Sequence, residues 1–476
     1  MAPCLEVRAA DPAVGDLDHG AARCRLGLGK FAQRDLLGSG DEADDHEGFA
    51  SFDVGAAFRA DARLSKGRSS PKLGRVTRRG TRTMDLSYGP EYEAFRSELR
   101  AFLEANRTRA PKPRLGFLSD PKIAGWQQLL IEHGYAARTI PKRYGGGGHA
   151  ADPLISVILA EEFRRAGVPG GVSGQGPDML VPTLLEHGTE AQRRRYVPPT
   201  VRGEMIWCQG YSEPGAGSDL ASLTTSGRVE GDTLVVNGQK IWTSTAHAAH
   251  MMFALVRTEP DAKKHAGISY VLIPMDTPGI DVRPLRTMTG HAEFNEVFFD
   301  DVRVPTGNIV GRRGEGWKIA NTTLRHERDM LGSAATSEGL FHDLLRTLEE
   351  EKVGGRRAID DPALVARIAG LQARTIAMRC HAMRLLTARI RGESAGVAGL
   401  VTKLNGCELN HDLAGFAIDG LGEAGTLYRE EKRARDGGRW LFHWMFQLGL
   451  IIGGGTAQIQ KNIIAERGLG MPREPR

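Results

Sequence analysis

The sequence predicts a multidomain α+β protein with a helical N-terminal domain, a central antiparallel β domain and a four-helix-bundle-like C-terminal domain. Three observations predict this fold class. Apolar residues follow a helical period up to about residue 205, the period changes to two between Met205 and Asp301, and the helical period returns from Trp317. A chain of 476 residues is long enough for two or three domains. We expect the domains at residues 84–204, 205–315 and 316–476.

Residues 1–83 differ in composition from the rest of the chain. They are rich in Gly, Ala, Arg and Asp, lack a sustained apolar period and end in a basic run. The acidic stretch DEADDHEG argues against a transit peptide, and no apolar segment suits a secretory signal. We expect a disordered extension, or a translation start assigned upstream of a natural start at Met84. A folded module is the disfavoured third alternative.

Periodicity places the helices of both outer domains. An apolar stripe from Tyr92 to Leu103 predicts the first helix, because its residues recur every three or four positions. Further helical patterns cover Ile123–Glu132, Leu154–Arg165 and Asp178–Glu186 in the N-terminal domain. Those of the C-terminal domain cover Asn321–Glu350, Asp361–Arg391, Val397–Asp419 and Leu441–Leu448, with a last helix after Gly455.

The central region combines short β-rich runs with turn signals. TLVV, MMFALV, SYVLIPM and EVFFDDVRV have the β-branched and aromatic content of strands. Glu230-Gly231-Asp232 and Asn237-Gly238 are typical of hairpin turns. An antiparallel sheet is therefore expected between the two helical domains.

Bulk composition argues against several classes of function. The formal net charge of +5 is inflated by the N-terminal region, so nucleic-acid binding is not expected. Five cysteines lie far apart without a CxxC pair, which favours a reducing cytosol over a disulfide or zinc framework. The histidines lack ligand spacing, so no metal is expected. Because no run of about 18 residues is apolar, no membrane span is expected.

The most informative stretch runs from Trp207 to Ser244. It contains a polar turn, SEPGAGSD, followed by strand-like residues that end in KIWTS. Small residues let backbone N–H groups approach a phosphate or a flat ring closely. An indole can then cover a ring face while hydroxyl groups bind its edge. These residues indicate a binding site for a polar heterocycle.

This stretch, together with GGGTAQIQKNIIAERGLGMPR near the C-terminus, resembles the acyl-CoA dehydrogenase family. The resemblance runs from about Met84 to the C-terminus. It implies a flavoprotein of fatty acid and lipid metabolism that oxidises an acyl-CoA thioester at the α,β bond, with FAD between helical and β domains. Matching positions imply the following FAD contacts: Gln209, Tyr211, Ser212, Gly217, Ser218, Trp242, Thr243, Ser244, Thr456 and Gln458. Ser218 and Arg328 match positions near the acyl-CoA substrate.

The resemblance also implies a catalytic base, but in an unusual position. Many family members carry a glutamate where this chain has Gly454, which offers no side chain to accept a proton. A smaller branch supplies the base from an earlier helix, and the matching segment TLRHERDML places Glu327 before Arg328. Glu327 is therefore our prediction for the base, against the alternative of a solvated Glu-Arg pair. Glycine at 454 also predicts extra room beside the substrate α-carbon, which favours a branched or polycyclic acyl group.

Partners follow from the same resemblance. We expect an electron-transfer flavoprotein as electron acceptor and a homo- or hetero-oligomer, either dimer or tetramer. Around Asp419 the sequence FAIDGLGEAG departs from the family's glutamine-bearing motif. The sequence therefore does not predict whether FAD contacts a second subunit. Two alternatives also stay open: a catalytically silent FAD-binding or assembly subunit of a heteromeric enzyme, and an acyl-CoA oxidase. A cytoplasmic location is expected.

Overall fold

The structure is a computed structural model that describes residues 88–111, 121–353, 355–394, 396–429 and 431–473. The expectation for residues 1–83 falls outside these ranges. Within them, no helix combines the length and the apolar character needed to cross a membrane.

Five α-helices form the N-terminal part of the described chain: α1 Pro90–Asn106, α2 Pro121–Glu132, α3 Pro153–Ala166, α4 Val181–His187 and α5 Glu190–Val201. The apolar stripe of α1 buries Leu99, Phe102 and Leu103 against α2 and α3. Asp152 caps helix α3, since its carboxylate accepts from the backbone N–H groups of the first turn. The helix expected at 178–186 is divided, because a π-helical turn, Gln175–Leu180, precedes α4.

The central part is an eight-stranded sheet, β1 Trp207–Gly210, β2 Ser226–Glu230, β3 Thr233–Ser244, β4 Met251–Arg257, β5 Ile268–Pro274, β6 Ile280–Leu285, β7 Phe294–Pro305 and β8 Ile309–Val310. The strand order is β6-β7-β3-β2-β4-β5-β8, and β1 pairs in parallel with β4. Strands β4 and β5 are buried on both faces, which explains their continuous apolar runs.

One expected turn lies inside a strand. Asn237 and Gly238 belong to β3, where the register with β7 slips between Val236 and Gly238. The Asn237 side chain donates to the Asp301 carboxylate and accepts from the Asp301 N–H, at 2.9 and 2.8 Å. A Cβ at Gly238 would lie 2.7 Å from the Thr225 Cα. The dipeptide therefore forms a braced β-bulge, and the prediction of a hairpin turn there was wrong.

Six α-helices form the C-terminal part: α6 Gly316–Met330, α7 Ala334–Glu350, α8 Pro362–Ile390, α9 Ala398–Leu421, α10 Arg439–Ile452 and α11 Ala457–Ile463. A short hairpin of β9 Lys352–Val353 and β10 Arg356–Arg357 follows α7. Helices α7 to α10 pack together, with α9 the most completely buried.

The helical pattern expected over 321–350 is two helices. Gly332 adopts a φ of +69° between them, and Ser333 then caps α7 by accepting from the Thr336 N–H. A side chain at Gly406 of α9 would collide with the carbonyl oxygen of Gly332. Close packing of α9 against this turn accompanies the break, so the helix that carries the predicted base ends shortly after Glu327.

Candidate active site

The two motifs SEPGAGSD and KIWTS lie side by side. Strand β1 leads into the first motif and β3 ends in the second. The backbone N–H of Ile241 donates to the Ser212 carbonyl at 2.9 Å, and Lys240 Nζ donates to the Tyr211 carbonyl at 3.2 Å. The two segments therefore form one continuous surface.

Glu213 fixes the first motif from the inside. Its buried carboxylate accepts from Lys240 Nζ at 2.7 Å and from the backbone N–H groups of Thr224 and Thr225 at 2.6 and 2.9 Å. Burial alone would raise the pKa of Glu213, but the Lys240 charge and the hydrogen bonds outweigh it and lower that pKa to about 2. Glu213 is therefore an ionised structural group.

The second motif turns an aromatic ring outward. Trp242 has a φ of +60°, in a register slip between Lys240 and Thr243, and is 58% exposed. Its ring stands edge-on to that of Phe294, with centroids 6.0 Å apart. Positive φ at a bulky residue is an outlier of the kind that clusters at functional sites. The bulge thus presents an indole face that a flat ligand can cover.

Polar groups beside this indole are available to a ligand. Thr243 is fully buried, and its hydroxyl finds no hydrogen-bond partner among the described residues, although its carbonyl accepts from Asn295 at 2.9 Å. Ser244 is half-buried. On the neighbouring turn Gly217 and Ser218 are exposed, and a Cβ at Gly217 would meet nothing within 4 Å. The exposed turn at Gly217 and Ser218 therefore lets a ligand approach the backbone closely.

Glu327 lies on α6 and is partly buried. Burial raises the pKa of its carboxyl, whereas a hydrogen bond from Gln209 and the charges of Arg328 and Lys403 lower it; the net change is upward. The Gln209 amide donates to Glu327 Oε2 at 3.1 Å. Gln209, which the resemblance assigns to FAD, therefore also contacts the predicted base.

Residues 453–455, three glycines that precede α11, form a turn close to this carboxyl, which we call the glycine turn. Gly454 has a φ of +64°, and a Cβ built there would lie 3.5 Å from Glu327 Oε1. It would also lie 2.7 Å from Leu331 Cδ1. The end of the Leu331 side chain therefore lies beside residue 454, where the sequence predicted extra room near the substrate.

The remaining predicted contacts lie just after this turn. Thr456 caps α11, since its hydroxyl accepts from the Ile459 N–H at 3.2 Å. Gln458 is exposed. Its neighbour Gln460 is buried, donates to the Gly454 carbonyl at 3.1 Å, and has an amide oxygen without a partner among the described residues.

Two residues of the site were not predicted from the sequence. Asn295 supports Thr243 from β7, and the fully buried Lys403 of α9 holds the glycine turn. Each is a single polar residue in an otherwise ordinary strand or helix. Their roles depend on contacts distant in sequence, so no local signal identifies them.

A sheet between two helical parts, an exposed indole beside an open turn and a buried carboxyl on α6 suit an enzyme that binds a flat cofactor. Family models for the N-terminal, middle and C-terminal domains of acyl-CoA dehydrogenase match residues 89–204, 208–302 and 314–469. The chain belongs to the acyl-CoA dehydrogenase family, whose members are FAD-binding oxidoreductases. The resemblance and the predicted fold class are thereby confirmed.

Similar proteins cover most of the described chain. The acyl-CoA dehydrogenase IpdE1 of Mycobacterium tuberculosis is 36% identical over 394 residues, 81% of this chain and 99% of that protein. A structure described as the Tcur3481-Tcur3483 steroid ACAD is 31% identical with a TM-score of 0.70, covering 82% of this chain and 100% of its own. The ChsE4-ChsE5 complex from M. tuberculosis is 33% identical with a TM-score of 0.69 and the same coverages.

The site fits the FAD that this family binds. The buried Thr243 hydroxyl has no partner in the part of the chain that the structure describes, and a ligand atom can satisfy it. The exposed Trp242 ring and the open backbone at Gly217 suit a flat ring and a phosphate.

Proposed function

We propose that this protein dehydrogenates an acyl-CoA thioester to trans-2-enoyl-CoA, with the Glu327 carboxylate abstracting the α-proton. Bound FAD supplies the acceptor for the β-hydride, and the electrons then pass to an electron-transfer flavoprotein. The observation that carries the proposal is the 3.5 Å between Glu327 Oε1 and the Cβ position of Gly454. The carboxyl from α6 thus reaches the point at which other members begin their glutamate side chain.

The environment of Glu327 supports a role in proton transfer. A general base works best when its pKa lies near the working pH, and an ordinary glutamate is too acidic. Burial raises the pKa of Glu327. The Gln209 amide donates a hydrogen bond to one carboxylate oxygen, Oε2, and the other oxygen, Oε1, lies near the glycine turn. One oxygen is therefore held while the other is available to the substrate.

FAD would be held by the residues at the ends of β1 and β3. Thr243 and Ser244 would donate to the ring edge, Trp242 would flank the ring, and the turn from Ser212 to Ser218 would face the phosphates. The orphaned Thr243 hydroxyl supports this assignment. Ser218 and Arg328 are proposed to contact the CoA ester, and the positive charge of Arg328 suits its phosphates.

A bulky acyl group is part of the proposal. One relative, at 31% identity, is described as a steroid ACAD, so a polycyclic CoA ester belongs among the first substrates tested. Leu331 lies beside Gly454, and we propose that a larger acyl group extends away from this position.

An oligomer is also proposed. Helix α10, RWLFHWMFQLGLII, buries only Trp440 and Gln447 fully, although most of its residues are apolar. On α8, Ile376, Met383 and Ile390 are exposed at seven-residue intervals. Most of the α10 residues are half-buried, and apolar helix faces that are exposed or only half-buried are typical of subunit contacts. Because two relatives are described as two-component assemblies, the partner is proposed to be a second, related chain.

The test is reduction of bound FAD by substrate. Purified protein, alone and with co-expressed neighbouring subunits, is mixed without oxygen with linear, branched and polycyclic acyl-CoA esters. Loss of flavin absorbance is followed in the wild type, in Glu327→Gln and in the matched surface variant Glu350→Gln. We expect bleaching in the wild type and in Glu350→Gln, and its loss in Glu327→Gln with FAD still bound.

Each other outcome overturns part of the proposal. Bleaching that persists in Glu327→Gln removes that residue from proton abstraction. No bleaching with any ester favours the silent subunit. Rapid reoxidation by air with release of hydrogen peroxide favours the oxidase.

A further inference from the structure

Lys403 is a buried cation, and no carboxylate of the described residues contacts it directly. It lies on α9, is 1% exposed, and its ammonium donates to the carbonyl oxygens of Ile451 at 2.9 Å and Gly455 at 2.6 Å. Burial lowers the pKa of Lys403, which the neighbouring Cys407, Glu327 and Glu408 partly offset. Burying an ammonium costs free energy that two neutral carbonyls recover only in part.

The two carbonyls flank the glycine turn. Ile451 is in the last turn of α10, and Gly455 directly precedes Thr456, the cap of α11. Both Gly454 and Gly455 have positive φ, so this turn has few backbone restraints of its own. The ammonium therefore bridges the start and the end of the turn.

The same turn contacts the helix that carries the predicted base. The Cβ position of Gly454 is 3.5 Å from Glu327 Oε1 and 2.7 Å from Leu331 Cδ1. One residue further, Gly332 packs against α9 at Gly406 so closely that no side chain fits there. The Lys403 helix, the end of α6 and the glycine turn therefore converge on the Glu327 carboxyl.

We propose that Lys403 is the positioning residue for α-proton abstraction. By holding both ends of the glycine turn it fixes the surface against which Glu327 lies, and its charge favours the ionised carboxylate. This inference rests on the proposed role of Glu327.

Other charged or titratable groups act on the same carboxyl. Arg328, on α6 itself, also lowers the pKa of Glu327, and burial raises it. The Tyr211 phenol, just after β1, has a pKa raised first by burial and then by Tyr270 and Glu327, so it stays neutral. Lys403 is therefore the cation that acts on Glu327 from a different helix. Removing its charge is expected to raise the pKa of Glu327 without substituting a residue of α6.

The experiment compares the pH dependence of flavin bleaching in Lys403→Met, Lys403→Gln and Lys403→Arg, with exposed Lys432→Met as the matched control. The ester is the one that bleaches wild type fastest. For the Met and Gln variants we expect bound FAD, an acid limb moved up by about one pH unit, and roughly tenfold slower bleaching near neutral pH. Lys403→Arg keeps the charge and restores most of the wild-type profile. Lys432→Met matches wild type throughout.

Two results overturn the inference. An acid limb unchanged in Lys403→Met and Lys403→Gln, both with FAD bound, excludes an effect of the charge on Glu327. Loss of FAD from all three Lys403 variants assigns the residue to the fold alone. The role of Glu327 is judged separately by Glu327→Gln. Bleaching retained in that variant refutes the base, whereas bleaching lost there with an unmoved limb in the Lys403 variants refutes only the role of Lys403.

Discussion

Glu213 and Glu327 are glutamates of the same chain in opposite surroundings. The Glu213 carboxylate has an ammonium at 2.7 Å and two backbone N–H groups within 2.9 Å, and its pKa is lowered to about 2 despite burial. Glu327 has one amide donor at 3.1 Å, and burial raises its pKa. The difference lies in the number and charge of the donors.

The comparison separates a structural carboxylate from the one that we propose to be reactive. A carboxylate saturated with donors is stable as an anion and is a poor proton acceptor. A carboxylate that is buried with few donors gains by taking a proton. The two buried lysines repeat this contrast, since Lys240 binds the Glu213 carboxylate while Lys403 binds carbonyl oxygens. Glu213 with Lys240 therefore supports the fold, whereas Glu327 with Lys403 is the pair that we propose to act in the chemistry.

The largest effect is expected from Glu327→Gln. We expect turnover of the best acyl-CoA to fall by about 10²–10⁴-fold, the usual contribution of general acid–base catalysis. FAD content should stay near the wild-type value and stability should not fall, because the amide keeps the size of the carboxyl. Steady-state assays at matched flavin concentration measure this, and an effect below fivefold would contradict the assignment.

Removing the other glutamate should damage stability instead. Glu213→Gln leaves Lys240 buried without its counter-ion, which typically costs about 3–5 kcal/mol in the free energy of unfolding. Urea unfolding measures the loss. The matched control is Glu204→Gln in the exposed pair with Arg202, where we expect less than about 1 kcal/mol. Equal losses in the free energy of unfolding for the two variants would contradict a structural role for Glu213.

The pH dependence of stability should have opposite signs at the two positions. The pKa of Glu213 is about 2 in the folded state against an ordinary value of 4.5, so its stabilisation is complete above pH 4.5 and is lost as pH falls toward 2. The advantage of wild type over Glu213→Gln should therefore shrink on acidification.

At Glu327 the raised pKa reverses this dependence. The folded state holds that proton more tightly than the unfolded state, so the stabilising contribution is present below the unfolded pKa and is lost as pH rises through the folded one. Glu327→Gln should gain stability relative to wild type as pH rises from 4 to 8. Unfolding midpoints at several pH values check both slopes, and parallel slopes would contradict the account.

The smallest effect is expected from Gln209→Leu. It removes one hydrogen bond that favours the ionised Glu327 carboxylate, so the pKa of Glu327 should rise. Bleaching near neutral pH should slow by about tenfold or less, with the loss recovered at higher pH. Gln128→Leu removes an amide–glutamate hydrogen bond on the surface and should leave the profile unchanged.

Much of the architecture was predictable because it depends on the local spacing of apolar residues along the sequence. The α1 stripe and the apolar runs of β4 and β5 identify their elements directly, and the motif residues placed the chain in its family. Local signals failed where a distant segment decides the conformation. Asn237-Gly238 forms a bulge because Asp301 braces it, and the break at Gly332 accompanies close packing against Gly406.

The site divides in the same way. Glu327 was proposed from a matching position and an absent side chain at Gly454, without any view of the distance between them. Their proximity, the Gln209 hydrogen bond and the role of Lys403 depend on α6, β1 and α9 meeting in space. None of these contacts has a local pattern in the sequence.

The most direct measurement is exchange of the substrate α-proton with deuterated water. A 3-thia analogue of the best acyl-CoA cannot complete the oxidation, so deuterium at its α-carbon reports proton abstraction alone. Wild type and Glu350→Gln should incorporate deuterium, and FAD-bound Glu327→Gln should not. Exchange at the wild-type rate in Glu327→Gln would contradict the central claim.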